Sequence, residues 1–210
     1  MKYITNFLLL LGALWTLPAH TQTTYVFYDQ VCPMPDSVIK PPGEGSLWIG
    51  HPDDPNLVGQ SFTPWTGLID FIDLMVRGKG TFYIVLRSDS PTGPVIASTD
   101  PVAVSSLPGP PVWTRFLFPS QLRLKADVTY YFQPVTSEGG AAVSAFMGTK
   151  YTAGTAFRGT EPIEHWDVFF REGWMLVVPE IPEPSTVALA LVGLPALAWA
   201  MRKRERPSLR

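Results

Sequence analysis

The sequence predicts an all-β fold, an antiparallel β-sandwich or jelly roll, and three observations point there. Proline is abundant, at 22 of 210 residues, and it is poorly tolerated inside helices. Charged residues are only 16%, against 46% hydrophobic and 12% aromatic, which marks a chain that packs a core. Between residues 23 and 178 many short runs alternate apolar and polar residues between turn signals, and none sustains helical periodicity. Two opposed inner sheet faces suit that apolar excess.

The strands are expected in the following order. Thr24 to Asp29 reads as the first, followed by a Pro- and Gly-rich loop from Cys32 to Gly45. Leu57 to Thr63 alternates and reads as the next. Leu68 to Val76 and Thr81 to Arg87 flank Arg77-Gly78-Lys79-Gly80, which predicts a hairpin with its turn there. In its second arm Phe82, Ile84 and Leu86 share one face, and Tyr83, Val85 and Arg87 the other. Ser90-Pro91-Thr92-Gly93-Pro94 is turn chemistry, leading into Val95 to Ser98. Val112 to Phe118 places Trp113 and Arg115 on one face. Val128 to Gln133 is the most strongly β-forming run, and Ala142 to Met147, Ala156 to Arg158 and Trp166 to Arg171 complete the set.

The two ends read differently from this middle. Lys2 precedes an apolar run from Phe7 to Leu14 and a Leu17-Pro18-Ala19-His20-Thr21 exit, the parts of a secretory signal peptide over residues 1–21. That run is too short for a bilayer core of about 30 Å. At the other end Ile181-Pro182-Glu183-Pro184-Ser185-Thr186 precedes an apolar stretch, Val187 to Met201, and a basic cluster of Arg202, Lys203, Arg204 and Arg206. Fifteen helical residues span about 22 Å, short for a comfortable permanent anchor. The cations favour the cytoplasmic side. The organisation expected is therefore a leader (1–21), a β ectodomain (23–178), a linker (179–186), a transmembrane helix (187–201) and a basic tail (202–210).

The last thirty or so residues closely resemble the PEP-CTERM sorting signal of exopolysaccharide-producing Gram-negative bacteria, with its three parts in order. The resemblance implies a processing partner, an exosortase, which is a membrane transpeptidase that cleaves near the motif. It also implies that Pro182, Glu183, Pro184 and Ser185 are recognised in a substrate and do not catalyse. Several ectodomain pieces resemble secreted β-sandwich modules found ahead of such tails, including choice-of-anchor domains: Gln60-Ser61-Phe62, Trp113 to Phe118, Leu124 to Phe132, Tyr151 to Gly154, and Trp166 to Arg171. In that group the final strand runs directly into the tail, as Phe169 to Val178 would here. The resemblance implies export through an inner-membrane intermediate to the cell surface or matrix, with exopolysaccharide as a candidate partner.

The chemistry-bearing residues are few. Positions 3–201 hold ten basic and seventeen acidic residues, a net charge near −7, which gives no electrostatic reason to bind nucleic acid. The single cysteine, Cys32, is read as a small buried hydrophobe. His51 with Asp53 and Asp54 reads as a solvated turn before it reads as a metal loop. Glu164, His165 and Asp167 form a polar group that a two-carboxylate hydrolase would need, but their spacing does not favour one. No metal or cofactor is expected, and the chain contains no Gly-x-Ser-x-Gly or His-Glu-x-x-His motif. Tryptophan is expected to pack the core of such a domain, because it buries so much area; Trp48 and Trp65, set among Pro and Gly, are the candidates for exposure and for stacking on a sugar. The expectation is a non-enzymatic adhesion or exopolysaccharide-associated module, with a lectin-like module and an extracellular hydrolase as alternatives.

Overall fold

The computed structural model describes residues 22–32, 44–147 and 151–179, together with the single positions Gly193, Leu197 and Met201, which are helical. The expected leader, the Pro-Glu-Pro motif, most of the apolar stretch and the basic cluster lie outside the described residues. Among the described residues no helix is long and apolar enough to cross a membrane. The chain divides into two compact units, Val26–Leu176 and a second formed by residues 1–25 with 177–210.

The described residues form an all-β, mostly antiparallel sheet. Its strands are β1 (Gln22–Val31), β2 (Glu44–Ile49), β3 (Val58–Phe62), β4 (Leu68–Ser88), β5 (Val95–Ser98), β6 (Val102–Ser105), β7 (Val112–Arg123), β8 (Tyr130–Met147), β9 (Ala156–Arg158), β10 (Glu161–Pro162), β11 (Trp166–Val168) and β12 (Phe170–Pro179). The hydrogen-bonded order is β1-β12-β4-β8-β3-β9-β10. Off this path β5, β6 and β7 pair with β4, while β2 and β11 pair with β8.

The hairpin expected at residues 68–87 is corrected. Arg77 to Gly80 does not reverse the chain, because β4 runs unbroken through it for 21 residues. Its first part pairs with β7 and β12, from Leu68↔Arg123 to Val76↔Val112 and over Phe71 to Leu74 with Gly173 to Phe170. From Val76 onward it pairs with β8, and it takes β6 and then β5 on the other edge. The glycines serve close approach at this change of partners. A Cβ on Gly78 would collide with Ala141, and one on Gly80 with the Glu138 carbonyl. Facing them, Gly139 has a positive φ of 89°, beside the irregularity in register at Thr81/Phe82. For the same reason Ala142 to Met147 is not a separate strand, since β8 continues through Gly139 and Gly140 from Tyr130.

Trp166 to Arg171 is likewise two strands rather than one. Phe169 interrupts them: its N–H donates to Ser144 O at 3.0 Å and its carbonyl accepts from Met75 N at 3.4 Å. The chain thereby passes from β8 to β4. Strands β2, β6 and β10 fall outside the expected set. The last runs of the alternation hold: Phe82, Ile84 and Leu86 are fully buried, whereas Val85 on the opposite face joins Leu57 and Val135 in a small second cluster. Within the main core, rings form a cluster of their own. Phe62 lies 6.0 Å from Phe132 and 6.3 Å from Phe170, and Phe170 lies 5.0 Å from Tyr151, between ring centroids.

Candidate functional site

Four neighbouring strands, β1, β12, β4 and β7, carry a row of polar side chains on the face away from the core. On β4 the residues Ile72 and Leu74 are fully buried, so strand alternation turns Asp73 between them to the other face. Register then places Arg171 of β12 on one side of Asp73 and Arg115 of β7 on the other. Arg115 forks onto the carboxylate, Nε to Oδ1 at 2.8 Å and Nη2 to Oδ2 at 2.9 Å. These bonds hold the Arg115 pKa above its ordinary value, against the opposing effect of burial. Arg115 also lies 3.9 Å from the Phe71 ring centroid and donates to the Tyr28 hydroxyl at 3.3 Å.

Arg171 is held by rings. Its guanidinium sits 3.9 Å from the Trp113 centroid and 5.2 Å from that of Tyr28. Its Nε is 3.7 Å from Asp73 Oδ2, beyond hydrogen-bonding distance. Tyr28, Asp73, Trp113, Arg115 and Arg171 together line an open cleft of about 370 Å³. Two guanidinium groups face one carboxylate, leaving a local excess of positive charge. Both Asp73 oxygens accept from Arg115, which makes this carboxylate an ion-pair partner. The cleft presents guanidinium N–H donors and aromatic faces to whatever enters it.

The residues singled out by sequence are dispersed. Trp48 on β2 and Trp65 after β3 are 74% and 71% exposed, and neither lines the cleft. Trp65 is anchored through its backbone, whose N–H donates to Asp29 Oδ2 at 2.8 Å. His51, Asp53 and Asp54 form an exposed turn in which Asp54 Oδ1 accepts from Asn56 N at 2.8 Å. Among the described residues no group of three or more His, Cys, Asp or Glu is placed to hold a metal. Glu164 is exposed on a second cleft of about 420 Å³, with Asn56, Arg158, Glu161, Pro162 and Ile163. Asp167 is 3% exposed and does not line it. Cys32 is buried and its N–H donates to Phe170 O at 2.9 Å. Of the cleft residues, sequence reading reached only the shared face of Trp113 and Arg115. Asp73, Arg171 and Tyr28 join them through pairing between strands far apart in the chain. The available signal was an acidic residue inside the apolar run Phe71 to Met75.

Two buried polar groups lie on the inner side. Gln60 is fully buried. Its Nε2 donates to Asp167 Oδ1 at 3.1 Å, and its Oε1 accepts from Val168 N at 2.9 Å. Asp167 Oδ2 accepts from Tyr151 N at 3.3 Å. Burial raises the Asp167 pKa, while the Gln60 and Tyr151 donors oppose the rise. Glu172 on β12 is also fully buried, and neither carboxyl oxygen meets a donor. It faces the Asp29 carboxyl of β1, which itself accepts from Trp65 N and Thr66 N. Burial first, and Asp29 second, push the Glu172 pKa up to about 9. A proton on Glu172 turns the contact between two acceptors into a hydrogen bond.

No family model matches the chain, and no curated protein matches it.

Proposed function

We propose that this chain is an exported surface or matrix protein whose β domain is an antiparallel sandwich of the jelly-roll kind. It acts by non-enzymatic adhesion or association with exopolysaccharide. The sandwich reading is supported by β4 and β8, which exchange partners part-way along and so serve two layers around one aromatic core. The binding reading rests on one observation: an open cationic and aromatic cleft built on the regular strands β1, β12, β4 and β7. Rigid strands hold such groups more accurately than loops do.

Sorting follows from the tail. Pro182, Glu183, Pro184 and Ser185 are read by an exosortase, while Arg202, Lys203, Arg204 and Arg206 stay on the cytoplasmic side of a membrane-embedded intermediate. A second reading is a lectin-like module stacking sugar on Trp48 and Trp65, favoured by the exposure of both indoles. An extracellular hydrolase is less well supported, because Asp167 is buried and hydrogen-bonded while Glu164 is exposed elsewhere.

Antibody labelling of intact producing cells tests the sorting. The native chain is expected at the surface, and a chain with Pro182, Glu183 and Pro184 changed to alanine is expected to stay in the inner membrane. Equal surface labelling of both would refute a role for the motif.

A further inference from the structure

We propose that the cleft between β1, β12, β4 and β7 binds the carboxylate groups of an acidic polysaccharide, with Arg171 as the residue that grips them. The inference rests on the binding reading above and names its ligand class. Its starting point is an arginine whose hydrogen-bonding capacity is unused. The Arg115 fork gives each Asp73 oxygen a donor, at 2.8 and 2.9 Å, and the Arg171 Nε stays 3.7 Å from Oδ2, outside hydrogen-bonding distance. The Arg171 side chain donates no hydrogen bond to any described residue: its buried Nε faces Asp73 Oδ2 without bonding it, which leaves the two outer Nη groups as the fork for a ligand. The guanidinium is nonetheless fixed in place, because Trp113 and Tyr28 pack against it.

Stacking occupies the flat faces of a guanidinium and leaves its in-plane N–H fork available. That fork matches the two oxygens of a carboxylate. The rings also keep the side chain ordered, which lowers the entropy lost when a ligand arrives. The cleft carries two guanidinium groups against one carboxylate, a local positive charge that attracts an anionic ligand.

The shape favours a polymer of sugars over an acidic peptide. The cleft is shallow and open, so it admits an internal unit of a chain without requiring an end. Tyr28 and Trp113, 45% and 36% exposed, flank the guanidinium with aromatic surface on which the apolar face of a pyranose ring stacks. Peptide side chains present no equivalent repeating flat face.

The test uses the full chain in mild detergent, with polygalacturonate, its methyl ester and polyglutamate as probes in affinity electrophoresis. Polygalacturonate is expected to retard the protein and the ester, which keeps the sugar but loses the charge, to have no effect. Arg171→Gln is expected to weaken binding about tenfold or more. Arg171→Lys, which keeps the charge without the fork, is expected to restore only part of it. Thermal unfolding of both variants separates lost binding from lost structure, and the lysine variant still reads the fork if the glutamine variant fails to fold. Equal retardation by the ester, full binding by both variants, or tighter binding of polyglutamate overturns the assignment. Surface labelling is scored independently, so a correctly sorted chain that ignores polygalacturonate defeats the ligand class and leaves the export reading standing.

Discussion

Glu172→Gln is expected to make the protein more stable at pH 8, and the advantage is expected to vanish near pH 4. The wild-type carboxyl is fully buried without a donor, beside the Asp29 carboxyl. Its pKa of about 9 in the folded chain compares with 4.5 for an unperturbed glutamate. Between those values the folded state keeps a proton that the unfolded state has released. Stability from this group is therefore complete below pH 4.5, falls as pH rises through the window, and is lost by about pH 9. The slope approaches about 1.4 kcal/mol per pH unit for one proton. Glutamine fills the same space, donates to Asp29 and does not titrate. Urea unfolding of both proteins from pH 4 to 9 reads the difference directly. A difference that does not change with pH, or a glutamine variant that is the weaker one at pH 8, would contradict the shared-proton account.

Gln60→Leu is expected to cost about 3 kcal/mol or more at neutral pH. Leucine keeps most of the volume but removes the donor to Asp167 and the acceptor for Val168 N–H. Both of those groups are buried. The tie between β3 and β11 is lost, while Asp167 Oδ2 still accepts from Tyr151 N. Asp167 would lose one of the two donors opposing its upward pKa shift, so the deficit should shrink as pH falls and the carboxyl protonates. The measurement is the urea midpoint and slope at pH 5 and 7. A leucine variant within about 0.5 kcal/mol of wild type at pH 7, the range of neutral surface changes, would mean that the buried network contributes little.

The all-β, antiparallel character was legible because alternation and turn residues are local. Phe82, Ile84 and Leu86 declare the inward face of β4 without reference to the rest of the chain, and Ser90 to Pro94 declares its turn. Length and partner choice were not legible. Gly78 and Gly80 look like a turn in sequence, but the same absence of a side chain permits close backbone approach, and only Gly139, Gly140 and Ala141 opposite decide between the two. β2 escaped notice because Gly45 and Ser46 carry no apolar alternation, and its strand character comes from pairing with β8. The cleft was half legible for a similar reason. Trp113 and Arg115 sit two apart on one strand, whereas Asp73 and Arg171 reach them only through register. Glu172 gave no local warning, since an acidic residue between Arg171 and Gly173 reads as surface.

The most direct test of the export account is the intact mass of the protein recovered from its native envelope and medium. The expected chain begins near residues 20–22 and lacks the basic segment Arg202 to Arg206. Recovery of a single species that keeps both Met1 and Arg210 would contradict it.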